Sequence, residues 1–338
     1  MMREENLKKV LVLGGGGFIG GHMVKRLVSQ GAWVRSVDLK KHEYGANPHE
    51  FIQGDLCDQD FVSSVFELEG KEVFSEVFQF AADMGGAGYI FTGENDAHVM
   101  YNSALINLNV LNEIHRRNKQ SNLNITKVFY SSSACIYPEE IQQDPNNPGL
   151  KESDAYPANP DSEYGWEKLF SERLFLAFQR NFRIPVRIAR FHNIFGPEGT
   201  WTGGREKSPA AICRKTAEAG NPGTVEIWGD GEQTRSFLYV EECLNAVERL
   251  MKSEFSGPVN IGSEEMVSIN EMARIVAGIA GKEISLKHIE GPLGVRGRNS
   301  NNELVRKQLD WDYSMTLRQG LEKTYSWIAE QLEVAKKA

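Results

Sequence analysis

Cysteine is scarce in this sequence: four residues among 338, Cys57, Cys135, Cys213 and Cys243, lie far apart with no CxxC pair. That spacing excludes a zinc cluster and a secreted disulfide framework, and it suits a reducing cytoplasm. Long apolar runs are also missing, since no window approaches the roughly 18 uninterrupted apolar residues that cross a bilayer. Residues 1–9 are polar and carry no apolar signal core, so neither a leader nor a membrane partner is expected. There is no basic tract, and 38 Lys and Arg against 46 Asp and Glu leave a net charge of -8. This argues against a nucleic-acid partner held by phosphate neutralisation, whereas an anionic small ligand needs only a few cations in one pocket. No internal repeat, low-complexity linker or metal-ligand cluster is present.

Glycine is plentiful, at 32 residues, and much of it is clustered. Residues 9–13 form a short apolar run that ends in Gly14-Gly15-Gly16-Gly17, and residues 18–30 carry helical spacing closed by Gly31. Strands are predicted at 32–37, 76–82, 128–133 and 186–191. Helices are predicted at 99–117, with Leu105, Ile106, Val110, Leu111 and Ile114 on one face, and at 164–180. Strands alternating with helices predict an α/β fold, a doubly wound parallel Rossmann sheet with a smaller, mostly C-terminal α/β substrate domain. Residues 1–192, with about 236–262, are assigned to the first unit, and 193–235 and 263–338 to the second. Ser208 reads as a helix N-cap, with Pro209 at the first helical position.

The glycine turn fits G-x-x-G-x-x-G on Gly14, Gly17 and Gly20, and also G-x-G-x-x-G on Gly15, Gly17 and Gly20. Either pattern alone also suits a purely structural turn. Here it follows an apolar strand, opens a helix, and precedes Asp38 at the end of the next strand, which points to a dinucleotide. Glycines let the backbone approach a pyrophosphate, and the helix N-terminus supplies free N–H groups. Asp38 would accept the ribose hydroxyls and repel a 2'-phosphate, favouring NAD over NADP, although Lys40 and Lys41 lie nearby.

Tyr164 and Lys168, four apart on a predicted helix, project from one face. A tyrosine hydroxyl titrates near 10, and bringing it to about 7 takes roughly 4 kcal/mol of phenolate stabilisation. Lys168 and an oxidised nicotinamide are both cationic and together are expected to supply it, making Tyr164 a base for a hydroxyl proton.

The glycine turn, the strand end Ser131-Ser132-Ser133 and the Tyr164/Lys168 pair together resemble the extended short-chain dehydrogenase/reductase superfamily of nucleotide-sugar enzymes, over nearly the whole chain. Four longer stretches carry a narrower resemblance: Ala81-Ala82-Asp83-Met84-Gly85-Gly86, Ser133-Ala134-Cys135-Ile136-Tyr137-Pro138, Gly203-Gly204-Arg205-Glu206-Lys207 and Val295-Arg296-Gly297-Arg298-Asn299-Ser300. They are similar to the branch that epimerises a GDP-hexose at C3 and C5. The resemblance implies NAD-dependent conversion of GDP-mannose to GDP-L-galactose or a close analogue: C4 is oxidised, C5 and C3 invert beside the ketone, and C4 is reduced again.

By the same resemblance Tyr164 and Lys168 act at C4 with Ser133 beside them, while Cys135 and Lys207 exchange the protons. Related dehydratases carry Asp-Glu where this chain has Ala134-Cys135. Phe18, Ile19, Asp55, Leu56, Ala81 and Ala82 join Gly14, Gly17, Gly20 and Asp38 around NAD. Gly86, Ala134, Asn193, Glu206, Lys215, Gln233, Arg235 and Arg298 are implied substrate contacts, with Arg298 and Lys215 suited to the diphosphate. Gly85, Gly86 and Gly88 either admit the sugar or form a plain turn. Two alternatives stay open: a GDP-sugar 4-epimerase or 4-oxidoreductase without inversion, and a nucleotide-binding regulator on a retired enzyme fold.

Asn301 stands where many relatives have aspartate, which is expected to loosen a domain contact or retune Arg298. Segments 92–98 and 117–126 are longer than a minimal member needs, and the first is expected near the sugar. A homodimer through the helices at 99–117 and 164–180 is expected.

Overall fold

A computed structural model describes residues 7–70, 72–120, 125–292 and 294–337. The polar start at 1–6 and residues 121–124 of the 117–126 segment lie outside the described residues.

Strand β1 (Lys9–Leu13) is buried at every position after its first, as a central strand covered on both faces must be. Its side chains alternate between two cores. Val10 and Val12 pack with Met23, Val24 and Leu27 of helix α1 (Phe18–Ser29). Leu11 and Leu13 face the other side. Around β1 the chain adds β2 (Trp33–Asp38), β3 (Glu50–Gln53), α2 (Gln59–Val65), β4 (Glu76–Gln79), α3 (Ala87–Ile90), α4 (Asp96–Gln120), β5 (Lys127–Ser133), α5 (Glu163–Phe182) and β6 (Val186–Phe191). Ile106, Val110, Leu111 and Ile114 of α4 and Phe175 of α5 close the second core over Val77, Val128 and Tyr130. Truncating one such residue, Leu11→Ala for example, costs about 2–5 kcal/mol in a core this closed.

The rest of the chain forms β7 (Ile194–Phe195), α6 (Ser208–Glu218), β8 (Gly223–Trp228), β9 (Thr234–Ser236), β10 (Leu238–Tyr239), α7 (Val240–Lys252), β11 (Val259–Ile261), β12 (Met266–Ser268), α8 (Ile269–Ala280), β13 (Ile284–Ile289), β14 (Gly297–Arg298), α9 (Glu303–Leu309) and α10 (Leu317–Lys337). The main sheet has seven strands in the order β11-β6-β5-β4-β1-β2-β3, every neighbouring pair parallel. Helices cover both faces, which makes the fold doubly wound. A smaller α/β part builds on the parallel pair β8 and β13, with Ile212, Met272, Val276, Leu321 and Ile328 of α6, α8 and α10 packed against Val225 and Ile227.

Several boundaries differ from the sequence reading, most of them by one or two residues. β4 stops at Gln79 rather than running to 82, because the Gln79 amide bonds both the N–H and the C=O of Ala81 at 3.1 Å and turns the chain aside. α4 is longer than 99–117. α6 begins one residue earlier than expected: Lys207 is the N-cap, and Ser208 and Pro209 both lie in the first turn, where a missing N–H costs nothing.

Candidate active site

Because all seven strands run one way, the residues that follow β1, β2, β3, β4 and β5 gather along a single edge of the sheet. Gly14 and Gly15 donate to the Val37 carbonyl, which binds the turn to β2. A Cβ at Gly15 would lie 2.1 Å from Ser36 Oγ, at Gly16 1.9 Å from the Lys40 carbonyl and at Gly20 2.1 Å from the Gly14 carbonyl, so these three glycines serve the chain's own packing. Gly17 is different. Its Cβ would meet no chain atom closer than 3.4 Å, and as N-cap of α1 it offers no capping side chain. The first N–H groups of α1 therefore open onto free space, the surroundings a pyrophosphate requires. Asp38 stands beside this turn, its carboxylate accepting from Gly16 N at 3.0 Å and Lys40 N at 3.3 Å. Burial raises its pKa, and those backbone donors oppose the rise. Asp55, whose carboxylate accepts from Cys57 N, and buried Leu56 follow β3, while Ala81 and Ala82 follow β4. This cradle fits an NAD dinucleotide.

The second cluster forms where β5 meets α5. Ser162 caps α5 by accepting from Gly165 N at 3.3 Å, which sets Tyr164 and Lys168 on the buried face of its first turns. Lys168 Nζ donates to the Ser131 carbonyl at 3.1 Å and lies over the Tyr130 and Tyr164 rings, 5.0 and 5.7 Å from their centroids. Ser133 Oγ accepts from Cys135 N at 3.2 Å, starting a short turn that contains buried Ala134, and it also bonds the Tyr164 hydroxyl. Gly165 permits the meeting, since a Cβ there would lie 2.2 Å from the Cys135 carbonyl oxygen.

Within the chain alone burial pushes the Tyr164 hydroxyl far above the usual phenol range; nearby Cys135 pushes the same way, and the Ser133 bond and Arg298 only soften the rise. Lys168, whose ammonium donates to the Ser131 carbonyl, is itself desolvated, which lowers its pKa.

Lys207 comes from the far wall. It is solvent-accessible yet sits deep among protein atoms, as a side chain lining a cleft does, and desolvation lowers its pKa. Tyr164, Lys168, Lys207, Arg235 and Arg298 all lie within electrostatic reach of Cys135, and Arg298 Nη1 donates to its sulfur at 3.1 Å.

The remaining candidates divide. Gln233 is buried, and its Oε1 has no hydrogen-bond partner, an acceptor open to a ligand donor. Asn193 holds a left-handed backbone (φ 45°) and donates to the Ser236 carbonyl at 2.8 Å. Arg235 donates to the Thr234 and Val295 carbonyls, and burial pushes its pKa down to about 9. Lys215 is turned to the Glu226 carbonyl at 2.8 Å, and the Glu206 carboxylate is taken by Gly204 N and Arg214. Arg298 is buried with all three nitrogens bonded inside the chain. A Cβ at Gly86 would lie 2.6 Å from the Glu206 carbonyl and one at Gly85 2.6 Å from the Tyr89 side chain, so both glycines serve the chain's own packing. Asn301 does not touch Arg298; it accepts from Glu303 N at 3.1 Å at the start of α9. Segment 92–98 runs into the first turn of α4.

Several residues absent from the sequence reading support this cluster. Asp161 and Gln142 hold Arg298 at 2.7 and 2.6 Å. Fully buried Glu167 accepts from Ser171 at 2.6 Å and Asn107 at 3.3 Å behind the Tyr164/Lys168 pair. Position in the sequence gives no hint of Gln142. Asp161 has one signal, since it directly precedes the Ser162 that caps the helix of Tyr164.

The model of the NAD dependent epimerase/dehydratase family matches residues 10–262. Over 337 residues, 98% of this chain and 85% of the relative, the sequence is 46% identical to a GDP-mannose 3,5-epimerase of Arabidopsis thaliana. Over 331 residues, 97% of this chain and 83% of the relative, it is 47% identical to GDP-mannose 3,5-epimerase 1 of Oryza sativa subsp. indica. Among solved structures it is similar to a UDP-glucose 4-epimerase of Thermotoga maritima with UDP-glucose, at 23% identity and a TM-score of 0.84 over 96% of this chain and 99% of that one, a likeness of fold.

Proposed function

The chain belongs to the NAD dependent epimerase/dehydratase family, and from that premise we propose that it inverts C3 and C5 of a GDP-hexose, converting GDP-mannose to GDP-L-galactose or a close analogue. The reading is carried by one observation: Cys135 lies beside Tyr164, with Lys207 near enough to feel its charge. A 4-epimerase has no use for a thiol and an amine around the ring; an enzyme that exchanges ring protons needs both.

Gly14, Gly17, Phe18, Ile19, Gly20, Asp38, Asp55, Leu56, Ala81 and Ala82 would hold NAD, which when bound supplies reversible oxidation at C4. Tyr164 takes the C4 hydroxyl proton and later returns it, with Ser133 orienting the oxygen. A C4 carbonyl lets the neighbouring C–H bonds release protons by delocalising charge onto its oxygen. The Cys135 thiolate removes such a proton, and the Lys207 ammonium, made more acidic by its desolvated position, delivers one to the opposite face. Each such group is worth about 10²- to 10⁴-fold in rate. Asn193, Gln233, Arg235, Lys215 and Arg298 are proposed for the GDP half. Residues 1–192 with 236–262 would carry the dinucleotide, and 193–235 with 263–338 the nucleotide-sugar.

We further propose a homodimer through the outer faces of α4 and α5, where Tyr101, Trp166 and Phe170 are exposed. The four cysteines are unpaired, which supports a cytoplasmic location. The test of function is turnover of GDP-mannose in deuterated buffer: label entering both C3 and C5 supports the reading, and stereochemical change at C4 without label at C3 or C5 overturns it in favour of a 4-epimerase.

A further inference from the structure

Inverting a ring carbon takes groups on both of its faces at a fixed separation, yet Cys135 and Lys207 come from different parts of the chain. Cys135 follows β5 of the main sheet, and Lys207 heads α6 of the smaller part. Behind Lys207 the chain is stiff, with Pro209 in the first turn of the helix. Ahead of it the chain is loose: Gly203 and Gly204 have φ of 88° and 84°, and a Cβ on either would meet nothing within 4 Å. Such a pair swivels easily unless the residues after it are held.

They are held from the side of the main sheet, by the segment that follows β4. Gly86 N donates to the Arg205 carbonyl at 3.1 Å, and a Cβ on Gly86 would lie 2.6 Å from the Glu206 carbonyl, so the two backbones touch. The Arg205 guanidinium lies over the Tyr89 ring, 4.1 Å from its centroid, and also bonds the Tyr89 hydroxyl. Donor and acceptor roles agree here. That hydroxyl spends its hydrogen on Asp83 Oδ1 at 2.8 Å, so its lone pairs are left for the guanidinium, which can only donate. Asp83 is fixed in turn to α4, its Oδ2 accepting from Asn102 at 2.9 Å and its N–H donating to Ser103 Oγ at 3.0 Å. A line of contacts thus runs from α4 through Asp83, Tyr89 and Arg205 to within two residues of Lys207.

We propose that Arg205, docked on Tyr89, is a positioning residue for Lys207, fixing the amine opposite Cys135 at the separation that inversion requires. The proposal rests on the role given to Lys207 above and deepens it by naming the contact that joins the two walls. Without that contact the Gly203–Gly204 pair lets the amine drift, while Tyr164, Lys168 and Ser133, which belong to β5 and α5, keep their places.

The test mixes NAD-loaded enzyme with GDP-mannose and compares wild type, Arg205→Ala, Tyr89→Leu, the double variant and Lys207→Ala. NADH absorbance follows oxidation at C4, and NMR follows the inverted product. Inversion is the readout in place of label, since a base on one face can exchange a proton without inverting the carbon. Arg205 is exposed, so its truncation leaves the fold intact. Each single variant should form NADH at the wild-type initial rate while inversion slows about tenfold to a hundredfold, the penalty of a displacement near 1 Å. The double variant should be no slower than the singles, because both remove one contact. Oxidation and inversion falling together would mean that the contact shapes the whole cleft, and losses that multiply in the double variant would mean that the two side chains act separately. Either result overturns the proposal, as does inversion at the wild-type rate in the single variants. Full inversion by Lys207→Ala would instead remove the role given to Lys207, and the proposal with it.

Discussion

Replacing Gly165 by alanine sets two effects of opposite sign against each other. In an exposed helix the change would stabilise by about 1 kcal/mol, because alanine is the better helix former. Here the new Cβ would lie 2.2 Å from the Cys135 carbonyl oxygen and 2.7 Å from Pro160 Cβ, whereas real Cβ contacts stop near 3.0 Å. The turn bearing Ser133 and Cys135 must then withdraw from α5 by close to an ångström. Overpacking of this kind costs about 1–3 kcal/mol, so the net loss of stability should be only about 0–2 kcal/mol. The catalytic loss should be much larger, since a displacement of about 1 Å costs on the order of 10²-fold in rate. Thermal unfolding and deuterium entry into GDP-mannose, measured on one NAD-loaded preparation, separate the two. A variant that melts higher than wild type and exchanges at the wild-type rate would refute the packing argument.

The cofactor cradle separates two glycines that look alike in sequence. Gly17→Ala should keep the wild-type melting temperature but lose co-purifying NAD, because its Cβ comes no closer to the chain than 3.4 Å, an ordinary contact, whereas Gly20→Ala should destabilise the protein even without ligand. His192 gives a pH test: burial holds it down to about 3, against about 6.5 unfolded, so the unfolded chain binds one more proton across that interval. Stability is then full above the unfolded value and falls with pH toward the folded one, and between pH 7 and 5 wild type should lose about 2 kcal/mol more than His192→Gln in urea titrations. Phe170→Glu should convert the proposed dimer to monomer in light scattering, and an unchanged mass would remove α5 from the interface.

The sheet was legible because parallel strands buried on both faces need near-continuous apolar runs, as residues 10–13 provide. The strand at 76–82 was read too long since nothing local reveals that the Gln79 side chain intercepts the backbone of Ala81. The cofactor turn was visible as a pattern, but which glycine serves the ligand depends on neighbours from β2 and the Lys40 loop. Sequence spacing places Lys168 beside Tyr164, yet the burial of both side chains and the Ser131 carbonyl that Lys168 bonds exist only in the fold. That Gly86 packs against the Glu206 carbonyl, 120 positions away in the chain, leaves no trace in the sequence. Asp161 and Gln142 escaped notice because both belong to loops that become one site only when β14 is laid across them.

The central claim is that oxidation at C4 and proton exchange beside it belong to different side chains, and NAD-loaded Cys135→Ala mixed with GDP-mannose in deuterated buffer tests it directly. The account predicts that NADH absorbance still appears while C3 and C5 stay free of deuterium. Label entering those carbons at the wild-type rate would contradict it.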